Sequence, residues 1–166
     1  MEIVYQIFTG LFVTVVGGLI VGIALDKIRI SKRTITISMT SKNYVSPYNS
    51  GNFVFDYSNN NGTYVIGQKE RVFTTQWSKA SNTSIHAYSD SADIDSIALM
   101  KNVTDLNSIN LIDADFSSRC RTPQIGDAVV WKNVNGYYAV TKIISIKDDS
   151  RGDINDELEC QYIIFK

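Results

Sequence analysis

Apolar and polar positions divide the chain into two regimes. Residues 3–25 (IVYQIFTGLFVTVVGGLIVGIAL) form one apolar run without a charged side chain. From residue 34 onward the pattern becomes short alternations of apolar and polar positions broken by Asn, Gly, Ser and Asp. A helix over the first run rises 1.5 Å per residue to about 35 Å, enough to cross a hydrocarbon core of roughly 30 Å with some tilt. The pattern therefore predicts a transmembrane anchor over residues 1–26, a basic neck over 27–34 and a β-rich domain over 35–166.

A cleaved signal peptide fits this run poorly. It is long, only Glu2 is charged before it, and it ends Ile23-Ala24-Leu25-Asp26 without a small-x-small cleavage site. The flanks give a direction. Lys27, Arg29, Lys32 and Arg33 follow the run and no Lys or Arg precedes it, which predicts a cytoplasmic domain behind a single membrane pass. The same four residues suit contact with anionic membrane lipid. Gly10, Thr14, Gly18 and Gly22 recur every four residues, so they share a helix face. Such a small-residue ridge lets two helices approach closely, and it predicts a homo-oligomer.

Strand patterns fill the remainder. Residues 34–40 (TITISMT), 52–57 (NFVFDY), 63–66, 71–77 (RVFTTQW), 84–88 (SIHAY), 127–131 (DAVVW), 137–146 and 157–165 (ELECQYIIF) alternate or run apolar. The SNNNG turn at 58–62 predicts a hairpin between 52–57 and 63–66, and Asn133-Val134-Asn135-Gly136 predicts another between 127–131 and 137–146. Residues 94–100 (IDSIALM) fit either a strand or a short helix. Residues 101–115 fit one short amphipathic helix or a long packed loop, and 116–124 a connector. About eight to nine short strands point to an all-β sandwich or barrel.

Composition narrows the function. A net charge of −1 excludes a whole-molecule electrostatic grip on duplex nucleic acid. Two cysteines, Cys120 and Cys160, lack the spacing of a zinc site or a disulfide framework. The one histidine, His86, is without a nucleophile elbow. No phosphate-binding glycine motif occurs. No metal site, cofactor or catalytic set is therefore expected. The acidic stretch Asp148, Asp149, Asp153, Asp156 and Glu157 departs from the EF-hand spacing, and Arg151 in its middle opposes a cation.

The candidate binding chemistry lies elsewhere. Trp77, Lys79 and Asn82 sit on and after one strand. An aromatic plate with an ammonium and an amide suits a nucleotide or another anionic small ligand, and turn chemistry around a core tryptophan is the simpler alternative. Arg119 and Arg121 flank Cys120 and would point the same way in an extended segment, toward a phosphate or toward a carboxylate of the acidic loop.

Residues 53–98, with DYSNNNGTY, TQWSKASNTSIHAY and IDSIALM, and the tail RTPQIGDAVVW…NGYYAVTKI…DDSRGD…DEL, have the look of a recurring bacterial module. The layout of an amino-terminal anchor before a small β domain resembles the transmembrane β-barrel effectors of bacterial anti-phage signalling systems. Those effectors bind a cyclic oligonucleotide and oligomerise to disrupt the inner membrane; they carry two membrane helices where this chain has one predicted. The resemblance implies a ligand- or partner-gated membrane effector. A constitutive tether that holds a protein partner through the β domain is the alternative, and a membrane-bound hydrolase is a third.

Overall fold

The computed structural model describes residues 44–166. The predicted anchor and its Gly10, Thr14, Gly18 and Gly22 ridge, the neck with Lys27, Arg29, Lys32 and Arg33, and the 34–40 strand lie outside the described residues. Among the described residues, no helix is long and apolar enough to cross a membrane.

Among the described residues, ten strands build two sheets. The first holds β1 (Val45–Ser46), β3 (Thr63–Ile66), β4 (Phe73–Lys79), β5 (Ile85–Tyr88) and β7 (Cys120–Arg121), in the spatial order β1-β3-β4-β5-β7. The second holds β2 (Ser50–Phe55), β6 (Ile94–Met100), β8 (Ala128–Asn133), β9 (Tyr138–Lys147) and β10 (Glu157–Phe165), in the order β2-β10-β9-β8-β6. All pairings are antiparallel except β1 with β3. Neither sheet closes on itself, so the barrel alternative falls and the sandwich stands. Residues 94–100 resolve to a strand.

The alternation seen in the sequence fills the space between the sheets. Phe53 and Phe55 of β2, Phe73 and Trp77 of β4, Ile85 and Ala87 of β5, Trp131 of β8 and Leu158, Cys160 and Tyr162 of β10 form one buried core. Trp77 and Trp131 meet edge to face with ring centroids 5.2 Å apart, an arrangement that stabilises by about 0.5–1.5 kcal/mol beyond the area buried. Each indole N–H is satisfied: Trp77 Nε1 donates to Thr75 Oγ1 (2.8 Å) and Trp131 Nε1 to Thr141 Oγ1 (2.9 Å).

The hairpin predicted over residues 52–66 does not form. β2 pairs with β10 and β3 with β4, so the SNNNG turn is an arch from one sheet to the other. Asn60, Asn61 and Gly62 all take positive φ there. The arch carries β3 over the core until the Tyr64 ring stacks on Phe53, 4.1 Å between centroids. Only glycine fits position 62, where an added Cβ would lie 1.9 Å from the Trp77 carbonyl oxygen. The second predicted hairpin forms as read, between β8 and β9.

Residues 101–119 form a long strap with two short 3-10 turns, Leu106–Ser108 and Leu111–Asp113. It covers the outer face of the second sheet. Leu106 is buried there with Ala98, Ala128, Val130 and Val140, and Val103, Ile109 and Phe116 pack around them. This explains why β8 reads as a continuous apolar run: both of its faces are buried. Asn43–Lys166 forms one compact unit around these two cores.

Candidate functional site

Loops gather at the two ends of the sandwich, and the ends differ in charge. One end carries the acidic loop 148–156 after β9. Its backbone is folded by its own carboxylates: Asp148 Oδ1 accepts from Ser150 N (3.0 Å) and Ser150 Oγ (2.6 Å), and Asp156 Oδ1 from Asp149 N (3.0 Å). Lys79 closes β4 at the same end. Its ammonium lies 2.9 Å from Asp148, 2.8 Å from Asp149 and 3.1 Å from Asp156. Arg151 Nε adds a contact to Asp148 at 2.8 Å. Asp148 is fully buried and Asp156 nearly so.

These three carboxylates place oxygens within 4.8 Å of one another, the layout of a cation site. The tethered ammonium of Lys79 stands at its centre. The electrostatics follow. The Asp149 and Asp148 contacts push the Lys79 ammonium well above the ordinary lysine range. The Ser150 hydroxyl, against the opposing effect of burial and with help from Lys79 and Arg151, holds Asp148 well below the ordinary carboxylate range. Burial, then the charges of Asp156 and Asp148, push the Tyr57 phenol up.

The sequence candidates are thus dispersed. Trp77 is 1% exposed and belongs to the core. Lys79, two residues on, is held in the acidic loop, and Asn82 is an exposed residue of the following turn. Arg119 forks onto Asp90, with Nε 2.5 Å from Oδ1 and Nη2 2.6 Å from Oδ2. Arg121 pairs with Asp115 at 2.9 Å. Asp115 sits at about 2, held down by the Ser117 hydroxyl and amide and then by Arg121. The two arginines therefore engage separate carboxylates, and neither reaches the acidic loop. Cys120 and Cys160 are free thiols, Cys160 buried in the core. His86 Nδ1 lies 2.9 Å from Thr122 Oγ1.

The opposite end of the sandwich holds a site that the sequence reading passed over. Of the basic residues among those described, seven sit in ion pairs: Lys79, Lys101, Arg119, Arg121, Lys132, Lys147 and Arg151. Lys142 donates to the Thr104 carbonyl. The remaining three, Lys69, Arg71 and Lys166, converge around Tyr137. The Arg71 guanidinium and the Lys166 ammonium each lie 5.2 Å from the centre of its ring. Lys69, Arg71 and Tyr137 line a cavity of about 400 Å³ with Asn49, Gln68 and Glu70. A broader groove of about 510 Å³ beside Leu106 and Ile163 carries no basic side chain.

This cradle is rigidly built. Asn133, 1% exposed at the end of β8, joins its two walls. Its Nδ2 donates to the carbonyls of Glu70 (2.8 Å) and Val72 (3.2 Å), while its Oδ1 accepts from the amides of Asn135 (3.1 Å) and Tyr137 (2.9 Å). Asn135 Nδ2 adds a bond to the Glu70 carbonyl at 3.1 Å. The Lys69–Arg71 turn is tight. Lys69 takes φ +55°, an uncommon conformation for a residue with a side chain. Gly67 takes φ +74°, and a Cβ there would lie 2.0 Å from the Arg71 carbonyl oxygen.

Comparison of the chain with protein-family models, with curated proteins and with solved structures found no significant match.

Proposed function

We propose that the chain is a membrane-tethered sensing module whose β-sandwich takes an anionic ligand in the Tyr137 cradle. The observation that carries this reading is the distribution of positive charge. Where the described surface has other cations, carboxylates or a carbonyl engage them; the three without such partners meet at one aromatic side chain beside a cavity. Cations around an aromatic ring, with amide donors at the rim, form a receptor for negative charge. The apolar run 3–25 supplies the tether, and its Gly10, Thr14, Gly18 and Gly22 ridge the self-association through which binding would be read out at the membrane. A membrane effector of the anti-phage signalling kind is the biological role this layout fits.

The test is a thermal-shift screen of residues 43–166 against organic and inorganic anions at low ionic strength. A ligand that binds the folded unit raises its melting temperature with concentration. The double variant Lys69→Ala, Arg71→Ala should abolish that rise, and Lys79→Met should leave it in place. A rise that survives the first variant and disappears in the second would place recognition at the acidic end and refute the reading.

A further inference from the structure

We infer that the ligand of the Tyr137 cradle presents a phosphate group, an inference that rests on the reading above that the cradle takes an anion. One cation can serve a whole carboxylate, as Arg119 satisfies both oxygens of Asp90 with its fork. A carboxylate has two oxygens in one plane. The cradle offers three cations from two segments: Lys69 and Arg71 at opposite ends of one tight turn, and Lys166 following β10. A tetrahedral phosphate presents three terminal oxygens, each with several lone pairs, enough for a guanidinium fork and two ammonium groups together.

The charge agrees. The side chains of Lys69, Arg71 and Lys166 outnumber the one side-chain carboxylate beside them, Glu70, and leave a net positive charge around Tyr137. A phosphate monoester carries about −1.5 to −2 at neutral pH. The division of labour follows from the side chains. The planar guanidinium of Arg71 forms two parallel hydrogen bonds to a phosphate, and Lys69 and Lys166 act as point charges. Tyr137 holds Arg71 and Lys166 beside its ring and so orders long side chains before the ligand arrives. The same phosphate can come from a soluble molecule or from a lipid headgroup.

The experiment uses the full chain in uncharged micelles, titrated by calorimetry with inorganic pyrophosphate and with citrate at matched ionic strength. Pyrophosphate should bind at least tenfold more tightly than citrate. Arg71→Ala should abolish that binding, and Arg71→Lys, which keeps the charge and loses the fork, should weaken it about tenfold. A second arm repeats the titration in phosphatidylcholine nanodiscs with and without phosphatidic acid. Suppression of pyrophosphate binding by phosphatidic acid assigns the phosphate to a headgroup, and equal binding assigns it to a soluble ligand; both support the inference. Equal affinity for citrate and pyrophosphate, lost together in Arg71→Ala, overturns the phosphate assignment and leaves anion recognition standing. No binding of either anion overturns both.

Discussion

Replacing Asn133 by alanine removes the side chain that ties the β8–β9 turn to the Lys69–Arg71 turn. Four hydrogen bonds disappear, to the carbonyls of Glu70 and Val72 and from the amides of Asn135 and Tyr137. A neutral hydrogen bond contributes about 0.5–1.5 kcal/mol net, and a buried group left without a partner costs about 1–3 kcal/mol. Water can reach the groups at Glu70 and Asn135, which are exposed, so the lower end applies to them. The sum is about 2–4 kcal/mol, or a fall in melting temperature of roughly 10 °C for a unit of this size. Urea denaturation of residues 43–166 measures it, with the slope of free energy on urea unchanged because the same surface is exposed on unfolding. Asn133→Asp keeps the oxygen that accepts from Asn135 and Tyr137, loses both donated bonds and buries a carboxylate facing two carbonyls. It should be at least as destabilising at pH 7 and recover in part on acidification, when the protonated acid can donate. A loss below about 1 kcal/mol in Asn133→Ala would refute the claim that this residue builds the cradle.

The Lys79 cage has a defined pH window. Asp148 and Asp149 titrate below their unfolded values, so their contribution is present above about pH 4 and is lost as pH falls below that; the Lys79 contribution is lost only at strongly alkaline pH. Lys79→Met should therefore destabilise the unit at pH 7, with the deficit shrinking between pH 5 and pH 3 as protonation relieves carboxylate repulsion; thermal melts across that range measure it. The same variant vacates the centre of three carboxylates, so millimolar calcium should raise its melting temperature and leave the parent unchanged. In the proposed anchor, Gly18→Leu with Gly22→Leu should abolish self-association in a membrane two-hybrid reporter, and unchanged association would rule out the ridge as its basis.

The parts of the fold that were legible in the sequence are those set by local periodicity. The period-two burial of Phe53 and Phe55, of Phe73, Thr75 and Trp77, and of Ile85 and Ala87 is the alternation itself. The β8–β9 hairpin was legible because its turn and its register are neighbours in the chain. Strand partners at long range were not. SNNNG is equally good chemistry for a hairpin and for an arch, and what decides between them is the pairing of β2 with β10, more than a hundred residues away. Residues 101–115 carry a helix-like spacing of apolar positions because one side of an extended strap packs on a sheet, which the spacing alone does not distinguish.

The sites divide the same way. Lys79 drew notice because it follows Trp77, but strand geometry puts Trp77 inside and the acidic loop captures Lys79. The Tyr137 cradle is assembled from residues 49, 68–71, 137 and 166, with no motif linking them. Two signals pointed there: Asn133-Val134-Asn135-Gly136, whose two asparagines do more than turn the chain, and the polar run Gln68-Lys69-Glu70-Arg71 after Gly67, which breaks the strand pattern without a proline.

The most direct test of the central claim is a two-dimensional amide spectrum of ¹⁵N-labelled residues 43–166 titrated with pyrophosphate. Saturable shifts are expected at Gln68–Arg71, at Asn133–Tyr137 and at Lys166, with Lys79 and residues 148–156 unmoved. Shifts centred on the acidic loop, or none at the Tyr137 cradle at saturating pyrophosphate, would contradict it.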